Sequence, residues 1–108
     1  MSPFMHVYSA GQWHGECFIV GNTEALKRLR DAIDAALAGH IGGTHAYAGD
    51  GEGFQTIVVN HNSENWEQLA VHYTDAECCA AENRKDAIWP EFLVTKEEYK
   101  SLPDWDGK

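Results

Sequence analysis

Cysteine is scarce in this chain, with three residues, Cys17, Cys78 and Cys79, and the last two adjacent. An odd count and a strained neighbouring pair do not make a disulfide framework, so free thiols in a reducing cytoplasm are the simplest reading. Neither Cys-x-x-Cys nor a helical His-x-x-x-His occurs, which removes the spacings that make a zinc site a strong inference. Long apolar runs are also missing: nothing approaches the roughly 18 residues that would span a bilayer, and no basic and apolar leader opens the chain. A soluble cytoplasmic protein without membrane contact is expected. Basic residues are few, eight Lys and Arg against seventeen Asp and Glu, for a formal charge of −9. Such a surface repels phosphate backbones, so direct nucleic-acid binding is not expected, while a partner with a basic surface is favoured. The imbalance is −3 over residues 1–60 (six acids, three bases) and −6 over 61–108 (eleven acids, five bases). No internal repeat, phosphate-cradling G-x-x-x-x-G-K-S/T or Ser/His/Asp arrangement is present. No catalytic residue and no cofactor are expected on these grounds, and an enzyme is the less favoured class.

What is present suits one domain over residues 1–108. Hydrophobic residues make up 44% and include four Trp, four Tyr and four Phe, enough for a packed core. The clearest element is a helix over residues 23–38. Leu26, Leu29, Ile33, Ala36 and Leu37 recur at steps of three and four and form one apolar stripe. Asn22 suits the N-cap, Glu24 the positive helix end and Gly39 a left-handed C-terminal cap.

Around that helix the pattern is β-rich. Residues 3–9 and 14–20 predict a first hairpin turning at 10–13. Residues 40–43 read as a flexible loop, 44–48 as a short strand, Asp50-Gly51-Glu52-Gly53 as a turn, and 54–61 as its partner strand. The order ββαββ closes most simply as an α+β fold: a four-stranded antiparallel sheet with the long helix across one face. Residues 66–73 read as strand or helix, with a short strand at 69–73 preferred. Thr74 with Glu77, and Thr95 with Glu98, match the capping box and predict short C-terminal helices over 75–84 and up to Ser101. Pro103 stops the second of these, and residues 89–94 between them look extended.

Six histidines invite a metal reading. Strand alternation places His14 and Glu16 on one face, a conceivable ligand pair for a metal-dependent hydrolase, while structural or surface histidines are the plain alternative. The acidic turn at Asp50 lacks the third acid and the distal glutamate of a calcium loop. Cys78-Cys79 could be redox-active, with Cys78 about a turn inside a predicted helix start, and Cys17 could be a nucleophile near a histidine; alternation with Ile19 makes a small buried residue the plain reading of Cys17. Trp105, Asp104 and Asp106 near the C-terminus, with Trp66 and Glu64, combine aromatic anchors with acids and form a candidate protein-binding face. Lys27, Arg28, Arg30 and Arg84 could instead hold an anionic nucleotide-like molecule between the subunits of a homo-oligomer.

The pattern Ala25-Leu26-x-x-Leu29-x-x-Ala32-Ile33-x-x-Ala36-Leu37, followed by Asp50-Gly51-Glu52-Gly53-Phe54 and an aliphatic strand, resembles small uncharacterised bacterial and prophage proteins, some of them immunity partners of toxins. The resemblance covers about a third of the chain and transfers no catalytic residue. It implies a small acidic inhibitor, of immunity or phage anti-defence type, that neutralises another macromolecule.

Overall fold

The architecture is that of a computed structural model describing residues 2–73 and 86–102. Its organising element is α1, the sixteen residues Thr23–Ala38. The Asn22 side chain accepts from the Ala25 N–H at 3.0 Å and donates to the Ser2 carbonyl at 2.9 Å, so one residue caps the helix and ties down the N-terminal segment. At the other end the Gly39 N–H donates to the Ala35 carbonyl, but Gly39 has φ −122° and is not left-handed. The chain re-enters extended structure at Ile41 and has no room for a full reversing cap.

Strands β1 (Met5–Tyr8) and β2 (Phe18–Gly21) pair antiparallel, as do β3 (Ile41–Tyr47) and β4 (Gly53–Val59). The order ββαββ is therefore present, but the strands form two two-stranded sheets and not one four-stranded antiparallel sheet. Among the described residues the backbone ladders of the two sheets join at one rung, where Phe4 bridges Tyr47 in parallel sense, with the Tyr47 N–H donating to the Pro3 carbonyl at 2.8 Å. Beyond that rung the Gly49 N–H donates to the His6 Nε2 at 2.8 Å, so an imidazole takes a donor that a longer ladder would use. The same bond leaves the His6 proton on Nδ1, which faces the Tyr8 hydroxyl at 2.7 Å.

β3 is longer than the sequence suggests, because Gly42 and Gly43 belong to it and are not a flexible loop. A Cβ at Gly42 would lie 1.9 Å from the Ala32 carbonyl oxygen, so glycine is required by the closeness of helix and strand. That closeness also decides which face of α1 is buried. Ala25, Ala32 and Ala36 are buried, and Leu29 packs with Phe54 against the Met5–Ala25–Ala46 core. Leu26, Ile33 and Leu37, expected inside, are exposed. The loop between β3 and β4 reverses at Gly51, with φ +89°, while the Asp50 Oδ1 accepts from the Glu52 N–H.

The C-terminal part contains short pieces. Residues Trp66–Gln68 form a 3₁₀ turn, and the strand expected at 69–73 reduces to one parallel bridge, Leu69 to Ile88. The segment Pro90–Leu93 is also 3₁₀ and not extended, with proline supplying the φ of its first turn. Helix α2, Lys96–Ser101, starts from a complete capping box: the Thr95 hydroxyl accepts from the Glu98 N–H and the Glu98 carboxylate from the Thr95 N–H. The helix expected over 75–84, with Cys78 and Cys79, lies outside the described residues. α2 docks onto the start of β3 through a His40–Glu98 hydrogen bond and through Leu102, which covers Gly43.

Candidate protein-binding surfaces

Among the described residues, Phe18, Ile19 and Val20 of strand β2 are left half exposed on both faces. Phe18, Ile19 and Val20 are consecutive and 54%, 51% and 56% exposed, although alternation sends neighbours to opposite sides. Their cross-strand partners Tyr8 and Val7 are also exposed. Leu26 lies against Gly21, so the apolar surface runs from β2 onto the exposed helix stripe of Leu26, Ile33 and Leu37. An exposed apolar edge strand is an adhesive feature that monomeric proteins ordinarily blunt. The sequence signal was the β-branched and aromatic run itself; periodicity could not show that it stays half exposed.

The same exposure corrects the reading of Cys17, which is an exposed thiol and not a core residue. The strand begins only at Phe18, so His14 sits in a turn with φ 65° and Glu16 in irregular chain; alternation no longer aligns them. Among the described residues no group of three or more His, Cys, Asp or Glu side chains could hold a metal.

Of the aromatic and acidic face, Trp66 and Glu64 are both exposed and two residues apart. The indole packs edge-on against the His61 ring at 5.2 Å, and His61 Nε2 is 2.8 Å from the Asn65 Oδ1, which orients this corner. Asp104, Trp105, Asp106 and Arg84 lie outside the described residues. Arg28 pairs with Glu24 at 3.0 Å and Arg30 with Asp31 at 3.2 Å, so carboxylates stand beside both guanidiniums.

A second surface feature escaped the sequence altogether. A groove of about 460 Å³ opens beside β3, between α1, which supplies Arg28, Asp31, Ala32 and Ala35, and the end of α2, with Leu102. Its floor includes Thr44, a polar side chain left only 7% exposed. Elsewhere on α2, Glu98 has its carboxyl held below the usual range, chiefly by the Thr95 N–H bond and then by the bond to His40. No helix among the described residues is long and apolar enough to cross a membrane. No protein-family model, curated protein or solved structure matches the chain.

Proposed function

We propose that this chain is a non-enzymatic cytoplasmic binding protein that neutralises a partner protein with a basic surface, an inhibitor of immunity or phage anti-defence type. The observation that carries the reading is the half-exposed Phe18-Ile19-Val20 strand, an apolar contact surface on a molecule whose net charge of −9 attracts a basic partner. Trp66 with Glu64 is a further exposed aromatic and acidic corner for the same partner. On this reading Trp105 is a short-range anchor and Asp104 with Asp106 provide long-range attraction. Trp105→Ala then raises the dissociation rate, and the double change Asp104→Lys with Asp106→Lys lowers the association rate.

The test is capture from extract of the native host by the wild-type chain and by Ile19→Lys. Ile19 is half exposed, so the variant should keep its melting temperature. The reading expects one basic protein retained in stoichiometric amount by the wild type and lost from Ile19→Lys. Equal capture by both, or no stoichiometric partner, overturns it.

A further inference from the structure

We infer that the outer edge of β2 is a strand-addition site: the partner presents an extended segment with basic flanks and pairs it, backbone to backbone, with Ile19 and Gly21. The inference rests on the protein-binding reading and deepens it by naming what the partner contributes. The parity of the β1–β2 ladder follows from one bond just beyond its end, in which the Asn22 N–H donates to the Phe4 carbonyl at 3.0 Å. These two residues continue the register Met5 to Gly21 by one step, so they are a pair of the hydrogen-bonded kind. Such pairs alternate along an antiparallel ladder, which makes His6 with Val20 and Tyr8 with Phe18 the next two. The Pro3 carbonyl, one residue before Phe4, agrees with that parity, since it turns to the opposite edge and accepts from the Tyr47 N–H. The amides and carbonyls of Ile19 and Gly21 therefore point away from β1. Among the described residues no other strand pairs with β2, and these outward groups have no partner there.

The side chains suit the same use. Ile19 stands on one face of the strand and Phe18 and Val20 on the other, all half exposed, so an added strand finds apolar contact on both sides of its backbone. Devices that ordinarily blunt an edge are few here: neither lysine nor proline stands on Phe18–Gly21, and the register with β1 runs without a bulge. Recognition of this kind takes affinity from main-chain bonds and specificity from alternate side chains, and it asks for an extended segment. Charge selects whose segment that is. A second copy would bring two chains of charge −9 together, whereas a strand flanked by lysine or arginine is attracted, and Glu16 is exposed just before the strand begins. The segment that fits is about five residues long, with β-branched residues at its centre to pack beside Phe18, Ile19 and Val20 and a basic residue at each end.

The probe is acetyl-Lys-Val-Val-Val-Lys-amide with N-methyl groups on its second and fourth residues, which leaves it one hydrogen-bonding edge and stops it pairing with itself. It is titrated to about millimolar concentration into the ¹⁵N-labelled full chain. Strand addition should slow amide exchange at Ile19 and Gly21 and leave Phe18 and Val20, already bonded to β1, little changed. A peptide methylated on its third and fifth residues instead should not bind. Ile19→Pro removes the outward donor at the centre of the edge and no bond to β1, so it should weaken binding by about tenfold or more. The inference is overturned by no binding of the probe, by equal protection of all four amides, or by full binding of the peptide methylated on its third and fifth residues; none of these results depends on the folding of Ile19→Pro. Protection of Ile19 and Gly21 that rises with protein concentration in the absence of peptide would assign the edge to a second copy and also overturn it. Partner capture keeps the two failures apart. A basic protein retained by the wild type and by Ile19→Pro but lost from Ile19→Lys leaves the protein-binding reading standing and overturns strand addition, whereas probe binding with the alternating protection and no captured partner does the reverse.

Discussion

Gly42 is where helix and strand approach most closely, and three glycines differ in what an added methyl group would meet. At Gly42 it would meet the Ala32 carbonyl oxygen at 1.9 Å, backbone that cannot move alone. Gly42→Ala should therefore cost at least about 1–3 kcal/mol, the range for overpacking. At Gly43 it would meet the Leu102 Cδ2 at 2.9 Å, the end of a flexible side chain, so Gly43→Ala should cost less. At Gly51 there is open space but φ is +89°, and Gly51→Ala should be destabilised by backbone strain of about 1 kcal/mol. Urea unfolding of the three variants gives the order. Glu98 supplies a residue-scale prediction about pH. Its folded-state pKa is depressed, first by the Thr95 N–H and then by His40. The ionised form is the one favoured by folding, so its contribution is complete above the ordinary carboxylate range and is lost as pH falls through the lower folded value. Acid titration followed by NMR should release α2 from His40 over that interval. Glu98→Gln should remove this pH dependence. Thr95→Ala, which deletes the other half of the capping box, should cost about 1 kcal/mol of local helix stability, read as faster exchange of the Glu98 amide.

At the scale of the element, α1 has two candidate apolar stripes. Leu26, Ile33 and Leu37 form one; Ala25, Leu29, Ala32 and Ala36 form the other, and both follow the three-and-four spacing of a helix. The alanine stripe is buried because β3 carries Gly42 beneath Ala32 and the two backbones nearly touch. Leu29→Ala should accordingly cost about 2 kcal/mol or more, since Leu29 packs on the core. Ile33→Ala should stay within about 0.5 kcal/mol, because Ile33 is exposed. Ala32→Leu should be harmful although it adds hydrophobic surface, by about 1–3 kcal/mol of overpacking. Melting temperatures of the three variants check the assignment, and a larger loss for Ile33→Ala than for Leu29→Ala would reverse it.

At the scale of the whole molecule, the largest fully buried side chain among the described residues is that of Met5, and the other buried hydrophobics there are alanines. Much of the bulky apolar material lies outside instead, on β2 and on the helix stripe. A molecule of charge −9 with that surface should find its partner by electrostatic attraction and hold it by apolar contact. Its association rate should fall as salt rises, since charges further apart than about 8 Å are screened at physiological ionic strength. The dissociation rate should respond little to salt and strongly to Ile19→Lys. Stopped-flow measurement with the captured partner over a salt series separates the two.

Short-range features were legible in the chain by itself. Asn22, the Thr95–Glu98 box and the reversal at Asp50 and Gly51 act within a few residues, so sequence alone determined the start of α1, the extent of α2 and the second hairpin. The ββαββ order followed from the same local signals. Tertiary structure decided whatever depends on how closely distant residues approach. Periodicity was satisfied by both stripes of α1, and only the contact between Gly42 and Ala32 selected the smaller side chains for burial. Two small sheets formed because Phe4 meets β3 at its last residue, Tyr47, so that β1 runs beside the turn, where His6 takes the Gly49 amide. β1 comes alongside β3 only at Tyr47 and runs on beyond the end of that strand, so among the described residues it does not reach the start of β3.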